Sequence, residues 1–218
     1  MADRRVIQAA VFDLGGVVVD ICVEATARYW AEAMQADLAE VLDPFMDDTR
    51  YQLMERGEMT MADYHAHMVR RLGGDLSFQD FVAGWNSLLR DPLPGVEGLL
   101  AELAAAVRLV ALTNTNATHA ARWRHTCQAE LAHFERVFVS YEIGARKPEP
   151  ACYRHVLDYL ALPPERVAFI DDSPENVAAA EALGMRGIVA EGTDQIARRL
   201  AELGVPLNGD GGHSKCSG

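Results

Sequence analysis

Three short apolar runs, rich in strand-forming residues, are each followed directly by a polar residue. They are residues 6–12 before Asp13, residues 108–112 before Thr113, and residues 166–170 before Asp171. Apolar runs of this length are typical of strands that are buried on both faces of a parallel sheet. Because the carboxyl ends of parallel strands share one edge, the three polar side chains are predicted to meet there.

Helical patterns lie between these runs, and two weaker apolar runs complete the predicted sheet. The predicted helices span residues 96–106, 117–131, 149–160 and 174–183, and the weaker strands span residues 137–140 and 186–190. Alternation of strands and helices predicts a doubly wound α/β fold with a parallel sheet.

Residues 21–91 break this alternation. Five successive amphipathic helices are predicted there without an intervening buried strand, at residues 24–35, 38–46, 50–55, 61–72 and 78–89. The helical pattern ends near Pro92, Pro94 and Gly95, a combination that predicts a hinge. The sequence therefore predicts a helical domain at 21–91, inserted into a core domain made of residues 1–20 and 92–207.

The composition narrows the classes of partner. With 218 residues, 50% of them hydrophobic, the chain can bury a full core and carry a large insertion. Its 20 Lys and Arg against 32 Asp and Glu give a net charge of -12, which argues against nucleic acid as a partner. A small anionic substrate remains compatible, because a bound divalent cation outweighs the distant average charge.

No targeting or membrane segment is recognisable. No run approaches the roughly 18 apolar residues of a membrane span, and residues 1–8 lack the apolar region of a secretory signal. We therefore expect a cytoplasmic protein without a membrane partner. The four cysteines show no paired metal-binding spacing and are expected to be reduced, and the polar, glycine-rich residues 208–218 are expected to be a disordered tail.

Two local patterns suggest a reaction centre. Gly15 and Gly16 follow Asp13 and permit a sharp turn with close approach of a ligand, although a purely structural turn fits this pattern equally well. Asp171 and Asp172 end an apolar strand together. Two adjacent carboxylates repel each other without a cation, so this pair predicts a metal site.

In type, order and spacing, Asp13, Thr113, Lys147 and the Asp171-Asp172 pair resemble the four motifs of the haloacid dehalogenase superfamily, over about residues 6–203. The stretches FDLGGVVVD, LTNTN, ARKPEP and FIDDSPEN are similar to the branch that contains the bacterial α-D-glucose-1-phosphate phosphatase, which also has a glycine two residues after its nucleophile. The resemblance implies a five-stranded Rossmann-like core with a helical cap at 21–91.

The resemblance also implies an Mg²⁺-dependent phosphatase with an aspartyl-phosphate intermediate on Asp13. Its metal ligands would be the Asp13 side chain, the Gly15 carbonyl, and Asp171 or Asp172. Mg²⁺ suits such a set because it prefers oxygen ligands and needs few from the protein. It would neutralise a phosphomonoester dianion that the carboxylate nucleophile otherwise repels.

The same resemblance assigns the phosphate-binding groups. Lys147 would place a positive charge on the phosphoryl group of a small phosphorylated substrate, and Thr113 would donate its hydroxyl, with the amide of Asn114 nearby. Without the family match, Lys147 would be interpreted as a solvated loop lysine. Thr113, Lys147 and Asp13 are thus the predicted catalytic residues.

Gly15 stands where most phosphatases of the superfamily carry a catalytic acid. General acid or base help is worth about 10² to 10⁴ in rate, so its absence predicts slower turnover and favours a good leaving group such as the anomeric oxygen of a sugar 1-phosphate. Two alternatives stay open. One is a metal-independent 2-haloacid dehalogenase, which needs no acid at this position. The other is a binding module that has lost catalysis.

Several residues are assigned no role in the reaction. We expect His119 and the other histidines to be structural, since none has convincing ligand spacing. The methionines of residues 21–91 are predicted to fill a small core, with the lining of a permissive pocket as the alternative. Trp30 and Trp85 are also predicted to pack in this core, although they could contact substrate. The sequence does not fix the oligomeric state.

Overall fold

The computed structural model describes residues 7–207, and a five-stranded parallel sheet lies at its centre. In sheet order the strands are β5 (Arg136–Val139), β4 (Arg108–Thr113), β1 (Ala9–Phe12), β6 (Val167–Asp171) and β7 (Arg186–Val189). The predicted doubly wound α/β fold is confirmed. Because β1 lies between β4 and β6, the three strands predicted to deliver polar residues are neighbours.

Twelve α-helices accompany the sheet in the described part of the chain. The first five lie within residues 21–91: α1 (Val23–Met34), α2 (Leu38–Met46), α3 (Tyr51–Glu55), α4 (Met61–Leu72) and α5 (Phe78–Ser87). The others are α6 (Val96–Ala104), α7 (Ala117–Thr126), α8 (Gln128–Leu131), α9 (Ser140–Ile143), α10 (Pro150–Leu160), α11 (Pro174–Ala182) and α12 (Thr193–Glu202), and a 3₁₀ turn spans Pro164–Arg166.

Both faces of the sheet are covered, which explains the unbroken apolar runs. All four residues of β1 are buried. Because side chains alternate across a strand, Ala10 and Phe12 join an apolar cluster with α6, α7 and α12, whereas Ala9 and Val11 join a second cluster with α10 and α11. A strand with only one covered face would alternate between apolar and polar residues.

The predicted helix at 117–131 is wrong in one respect, because the structure divides it into α7 and α8. Cys127 separates the two helices with φ −114° and ψ 36°, outside the helical region. The Cys127 side chain is buried in the same cluster as Trp123, so the change of direction keeps it against the core.

A two-stranded antiparallel ribbon was not predicted. β2 (Val19–Ile21) pairs with β3 (Leu89–Pro92) where the chain enters and leaves the five-helix segment. The predicted helix at 78–89 therefore ends early, at Ser87, and the predicted hinge contains a strand that ends at Pro92. Proline fits there because a strand at the edge of a sheet does not need every N–H.

The helices α1–α5 enclose a hydrophobic cluster of their own. Trp30 is fully buried, its ring stacks on Phe81 at 4.6 Å with an interplanar angle of 11°, and its indole Nε1 donates to the Phe81 carbonyl at 3.0 Å. Met54 and Met68 are buried in this cluster as predicted, whereas Met46 is 60% exposed. The predicted division into a core domain and a cap at 21–91 is consistent with this separate cluster and stays a prediction.

Two further expectations concern the C-terminal tail and membrane-spanning segments. The expected disordered tail at 208–218 lies outside the described residues. Among residues 7–207, no helix combines the length and apolar character needed to cross a membrane.

If residues 21–91 form a domain, replacing Trp30 should destabilise the helices more than the sheet. We expect Trp30→Ala to cost about 3–5 kcal/mol, because a buried aromatic is replaced by a cavity. Hydrogen exchange should then accelerate at amides of α1 and α5 more than at amides of β1 and β6. The control Leu100→Ala, in the sheet cluster, should show the opposite distribution. Equal acceleration throughout after Trp30→Ala would contradict a separate domain.

Candidate active site

The carboxyl ends of β1, β4 and β6 bring the predicted polar residues to one edge of the sheet. Asp13 follows β1 directly, and its backbone N–H donates to the Ile170 carbonyl of β6 at 2.8 Å. Thr113 and Asp171 are the last residues of β4 and β6. The crevice beyond the carboxyl ends of such strands is where doubly wound sheets bind ligands.

Lys147 joins two of these strand ends through a buried ammonium group. Its Nζ lies 2.8 Å from Asp13 Oδ2 and 2.6 Å from Asp171 Oδ2, and its side chain is 0% exposed. Burial alone would lower the pKa of Lys147, but the two carboxylates outweigh burial and the pKa is raised. Burial raises the pKa of Asp13, and Lys147 opposes this shift. One cation thus faces two carboxylates, and the predicted solvated alternative for Lys147 is wrong.

The side-chain amide of Asn114 forms two hydrogen bonds with the backbone of Lys147. Its Oδ1 accepts from Lys147 N at 2.8 Å, and its Nδ2 donates to Lys147 O at 2.9 Å. The Lys147 loop is therefore tied to the end of β4. Sequence reasoning placed Asn114 at the phosphate, and this predicted role stays a prediction, whereas the contact with Lys147 was not foreseen.

Asp171 and Asp172 occupy different environments although they are adjacent. Asp171 is fully buried, and its Oδ1 accepts from Ser173 N and from Asn176 Nδ2, both at 2.9 Å, while Oδ2 faces Lys147. Asp172 is exposed at the edge. Burial and the charge of Asp171 both raise the pKa of Asp172.

A divalent cation fits this group of acids. Carboxylate oxygens of Asp13, Asp171 and Asp172 lie within 4.8 Å of one another. Three carboxylates against the single Lys147 ammonium leave an excess of negative charge, and carboxylate oxygens are the ligands that Mg²⁺ prefers. The donor set thus suits the predicted cofactor.

The two glycines after Asp13 are not equivalent. Gly16 has φ +73°, which favours glycine, and a Cβ added there would lie 2.3 Å from Asp172 Oδ2 and displace that carboxylate. A Cβ added at Gly15 would lie 3.7 Å from the Ile21 side chain, an ordinary contact. Gly15 therefore leaves room that a side chain could occupy.

A cavity of about 290 Å³ opens beside Gly15 and Thr113, between the sheet edge and the helices α1–α5. Apolar side chains from both parts of the molecule line it, among them Ile21, Met46 and Trp85. Trp30 packs only in the helical cluster as expected, whereas Trp85 is both part of that cluster and part of the cavity wall. Sequence periodicity could not separate these two positions.

His119 forms part of the same wall. Its ring stacks on Trp85 with centroids 4.8 Å apart and an interplanar angle of 7°, and its Nε2 lies 2.9 Å from the Trp85 carbonyl. A carbonyl only accepts, so Nε2 donates and Nδ1 accepts from Asn116 Nδ2 at 3.3 Å. Burial lowers the pKa of His119 to about 4, so the ring is neutral at neutral pH. The expected structural role is consistent with these contacts.

Two ion pairs connect α3 with the loop that carries Lys147. Arg146 Nε lies 2.7 Å from Glu55 Oε2, and Arg56 pairs with Glu149 through its Nε at 2.9 Å. Neither pair was foreseen, because about 90 residues separate the partners in the sequence. Glu55 also lines the cavity, and burial raises its pKa.

Comparison with known proteins connects this geometry to one family. Residues 7–184 match the haloacid dehalogenase-like hydrolase family. The chain is 35% identical over 120 residues to flavin mononucleotide hydrolase 1 of Arabidopsis thaliana, covering 53% of this chain and 47% of that protein. It is 23% identical over 187 residues to D-ribitol-5-phosphate phosphatase of Bacteroides thetaiotaomicron, covering 82% and 89%.

Some relatives are much longer than the aligned region, which spans only 13% of drimenol cyclase drtB from Aspergillus calidoustus. Among solved structures, a haloacid dehalogenase family enzyme of Bacteroides thetaiotaomicron in complex with magnesium and inorganic phosphate superposes with a TM-score of 0.74. The two are 26% identical, and the alignment covers 85% of this chain and 95% of that one.

The difference between Gly15 and Gly16 can be tested by replacing each of them with alanine. We expect Gly16→Ala to lower the free energy of unfolding by about 1–3 kcal/mol, because alanine is strained at positive φ and its Cβ collides with Asp172. Gly15→Ala should change it by less than about 0.5 kcal/mol. Denaturant unfolding of both variants measures the difference, and equal effects would contradict the geometry of this turn.

Proposed function

We propose, from the premise that the chain belongs to the haloacid dehalogenase-like hydrolase family, that it is an Mg²⁺-dependent phosphatase of small phosphomonoesters with Asp13 as nucleophile. The observation that carries the proposal is the buried Lys147, held between Asp13 and Asp171 beside a third carboxylate and a cavity of substrate size. Relatives that act on phosphorylated small molecules support the same reaction class.

Asp13, the Gly15 carbonyl and Asp172 would hold Mg²⁺. Asp171 fits this role less well, because Lys147, Ser173 and Asn176 already contact its two oxygens. When bound, the ion supplies positive charge to the phosphoryl oxygens and lowers the repulsion between phosphate and nucleophile. The related magnesium and phosphate complex supports this assignment.

The chain's own residues then divide the reaction into two displacements. An oxygen of Asp13 attacks phosphorus, the bond between phosphorus and the leaving oxygen breaks, and an aspartyl phosphate forms. Thr113 donates its hydroxyl to a phosphoryl oxygen. Lys147 holds the Asp13 carboxylate in place and opposes the burial that raises the pKa of Asp13. Water then attacks the phosphorus of the aspartyl phosphate, which releases inorganic phosphate and regenerates Asp13.

Gly15 supplies no proton to the leaving oxygen, so the departing alkoxide must take its proton from water. This step is easiest when the departing alcohol is acidic. Sugar 1-phosphates and aryl phosphates both satisfy that requirement, whereas simple alkyl phosphates do not.

A haloacid dehalogenase is disfavoured by the site. A haloacid carries a carboxylate that needs a cationic partner, yet none of the described residues that line the cavity is a lysine or arginine. The Asp171-Asp172 pair would also be unexplained without a metal. A binding module without catalysis is also disfavoured, because it would not need Asp13 in contact with a buried Lys147.

The proposed nucleophile can be tested directly. We expect Asp13→Asn to lower phosphate release from aryl and sugar phosphates at least about 1,000-fold, because the amide cannot form the acyl phosphate. The matched control Asp20→Asn, on the exposed face of β2, should keep wild-type turnover. Chelation should abolish wild-type activity and Mg²⁺ should restore it. Activity that persists in chelator, or in Asp13→Asn, would contradict the proposal.

The missing acid can be restored by substitution. We expect Gly15→Asp to speed hydrolysis of benzyl phosphate about tenfold, a fraction of the usual acid contribution, because the new carboxyl can protonate a poor leaving group. Phenyl phosphate should change less, and Gly15→Ala serves as the control for added bulk. If both esters respond equally in Gly15→Asp, the missing acid does not limit turnover.

A further inference from the structure

The cavity beside the proposed nucleophile offers mainly apolar surface to the part of the substrate beyond the phosphate. Its wall includes Val23, Phe45, Met46, Trp85 and Leu88. Ile21 and Met46 are 38% and 60% exposed, which is unusual for apolar side chains beside a predicted charged substrate. Apolar surface of this kind gains free energy when it is covered by an apolar ligand group.

Most polar side chains in the wall already bond to other protein groups. Both ends of the Asn114 amide contact Lys147, and Asn116 Oδ1 accepts from the backbone N–H groups of Thr118 and His119. Both His119 nitrogens are used as well. After these bonds, each asparagine Nδ2 keeps one further N–H that could meet a sugar hydroxyl, whereas the other atoms named are already paired.

Further polar groups in the wall have similar commitments. Thr115 Oγ1 accepts from Trp123 Nε1 at 3.3 Å, and Glu55 pairs with Arg146. Thr113 is assigned to the phosphate, which leaves the phenol of Tyr51 and the indole N–H of Trp85, for which the described residues offer no partner. A polyol would lose its bonds to water in this cavity and recover few of them.

Charge restricts the ligand further. His119 is neutral at neutral pH, and the described lining residues include no lysine or arginine. A second anionic group on the substrate would therefore lie beside Glu55 without a compensating cation. The ligand group that fits is apolar and uncharged.

Gly15 adds an independent requirement, because without an acid the departing alcohol must itself be acidic. A phenol has a pKa of about 10, whereas an alkyl alcohol resembles water at about 16. An alcohol that is both apolar and acidic is a phenol.

We propose that the substrate is an aryl phosphate, whose aromatic ring occupies the cavity beside Gly15 and leaves as a phenolate. The inference rests on the proposed function and adds the substrate class. In the first step the Asp13 oxygen–phosphorus bond forms, the aryl oxygen–phosphorus bond breaks, and the phenolate takes a proton from water. The cavity of about 290 Å³ has room for one or two rings, since about 150 Å³ accommodates benzene.

Binding of phosphonates that cannot be hydrolysed tests the cavity without any turnover. With Mg²⁺ present, benzylphosphonate should bind the wild-type protein about 10- to 100-fold more tightly than methylphosphonate, the gain expected from burying one ring. Glucosylmethylphosphonate should show no such gain. If benzylphosphonate binds no better than methylphosphonate, or if the sugar phosphonate binds as tightly, the inference is overturned.

The variant Ile21→Asn tests whether the cavity wall causes the tighter binding of benzylphosphonate. Isothermal titration should show about fivefold weaker benzylphosphonate binding and unchanged methylphosphonate binding in this variant, because a polar group replaces part of the apolar wall. Phe78→Gln, which changes a 48% exposed aromatic outside the cavity, should alter neither affinity. If Ile21→Asn weakens the binding of both phosphonates equally, the cavity wall does not bind the ring, and the inference is overturned.

Rates of hydrolysis of three esters distinguish the aryl phosphate proposal from the broader phosphatase proposal. Phenyl phosphate should be hydrolysed with a kcat/KM at least about tenfold above those of benzyl phosphate and glucose 1-phosphate. If glucose 1-phosphate or benzyl phosphate is the better substrate, the aryl assignment is overturned while the phosphatase proposal stands. Failure of all three esters would overturn the proposed function, and with it the aryl assignment, even if benzylphosphonate binds.

Discussion

The Lys147 side chain is buried without access to water, and the surrounding residues neutralise its positive charge. A buried ammonium group is tolerated only when carboxylates and hydrogen bonds replace its hydration. Asp13 and Asp171 provide this replacement from two neighbouring strands, and Asn114 fixes the Lys147 backbone from a third. The same contacts hold Asp13 at the sheet edge, so the groups that stabilise the lysine also aim the proposed nucleophile.

The loop around Lys147 also connects the sheet to the helical segment. Arg146 pairs with Glu55, the last residue of α3, and Glu149 pairs with the following residue, Arg56. Elsewhere in the cavity wall, the stacked His119 and Trp85 rings connect α7 with α5. Ion pairs and ring stacking therefore both position the helices over the cavity. A shift of the helices would move the loop that carries Lys147.

The features that the sequence revealed are those encoded locally. An apolar run followed by a polar residue was enough to place Asp13, Thr113 and Asp171 at one sheet edge, because strand direction and side-chain alternation follow from short-range geometry. The β2–β3 ribbon and the Glu55–Arg146 pair were missed because they join segments about 70 to 90 residues apart, with ordinary composition at each end. The different positions of Trp30 and Trp85 likewise depend on tertiary packing, since both occupy apolar helix faces.

Gly15 connects the chemistry of the site with the shape of its cavity. In a polar pocket, the loss of an acid would be partly offset by wall groups that donate to the leaving oxygen. Here the side-chain amides of Asn114 and Asn116 are bonded elsewhere, and His119 donates its only N–H to a backbone carbonyl. The second N–H of each amide can donate a hydrogen bond but cannot transfer a proton. These groups therefore do not replace the missing acid, and the substrate must provide an acidic alcohol. Because the same wall favours an apolar group, leaving-group acidity and cavity polarity restrict the substrate in the same direction.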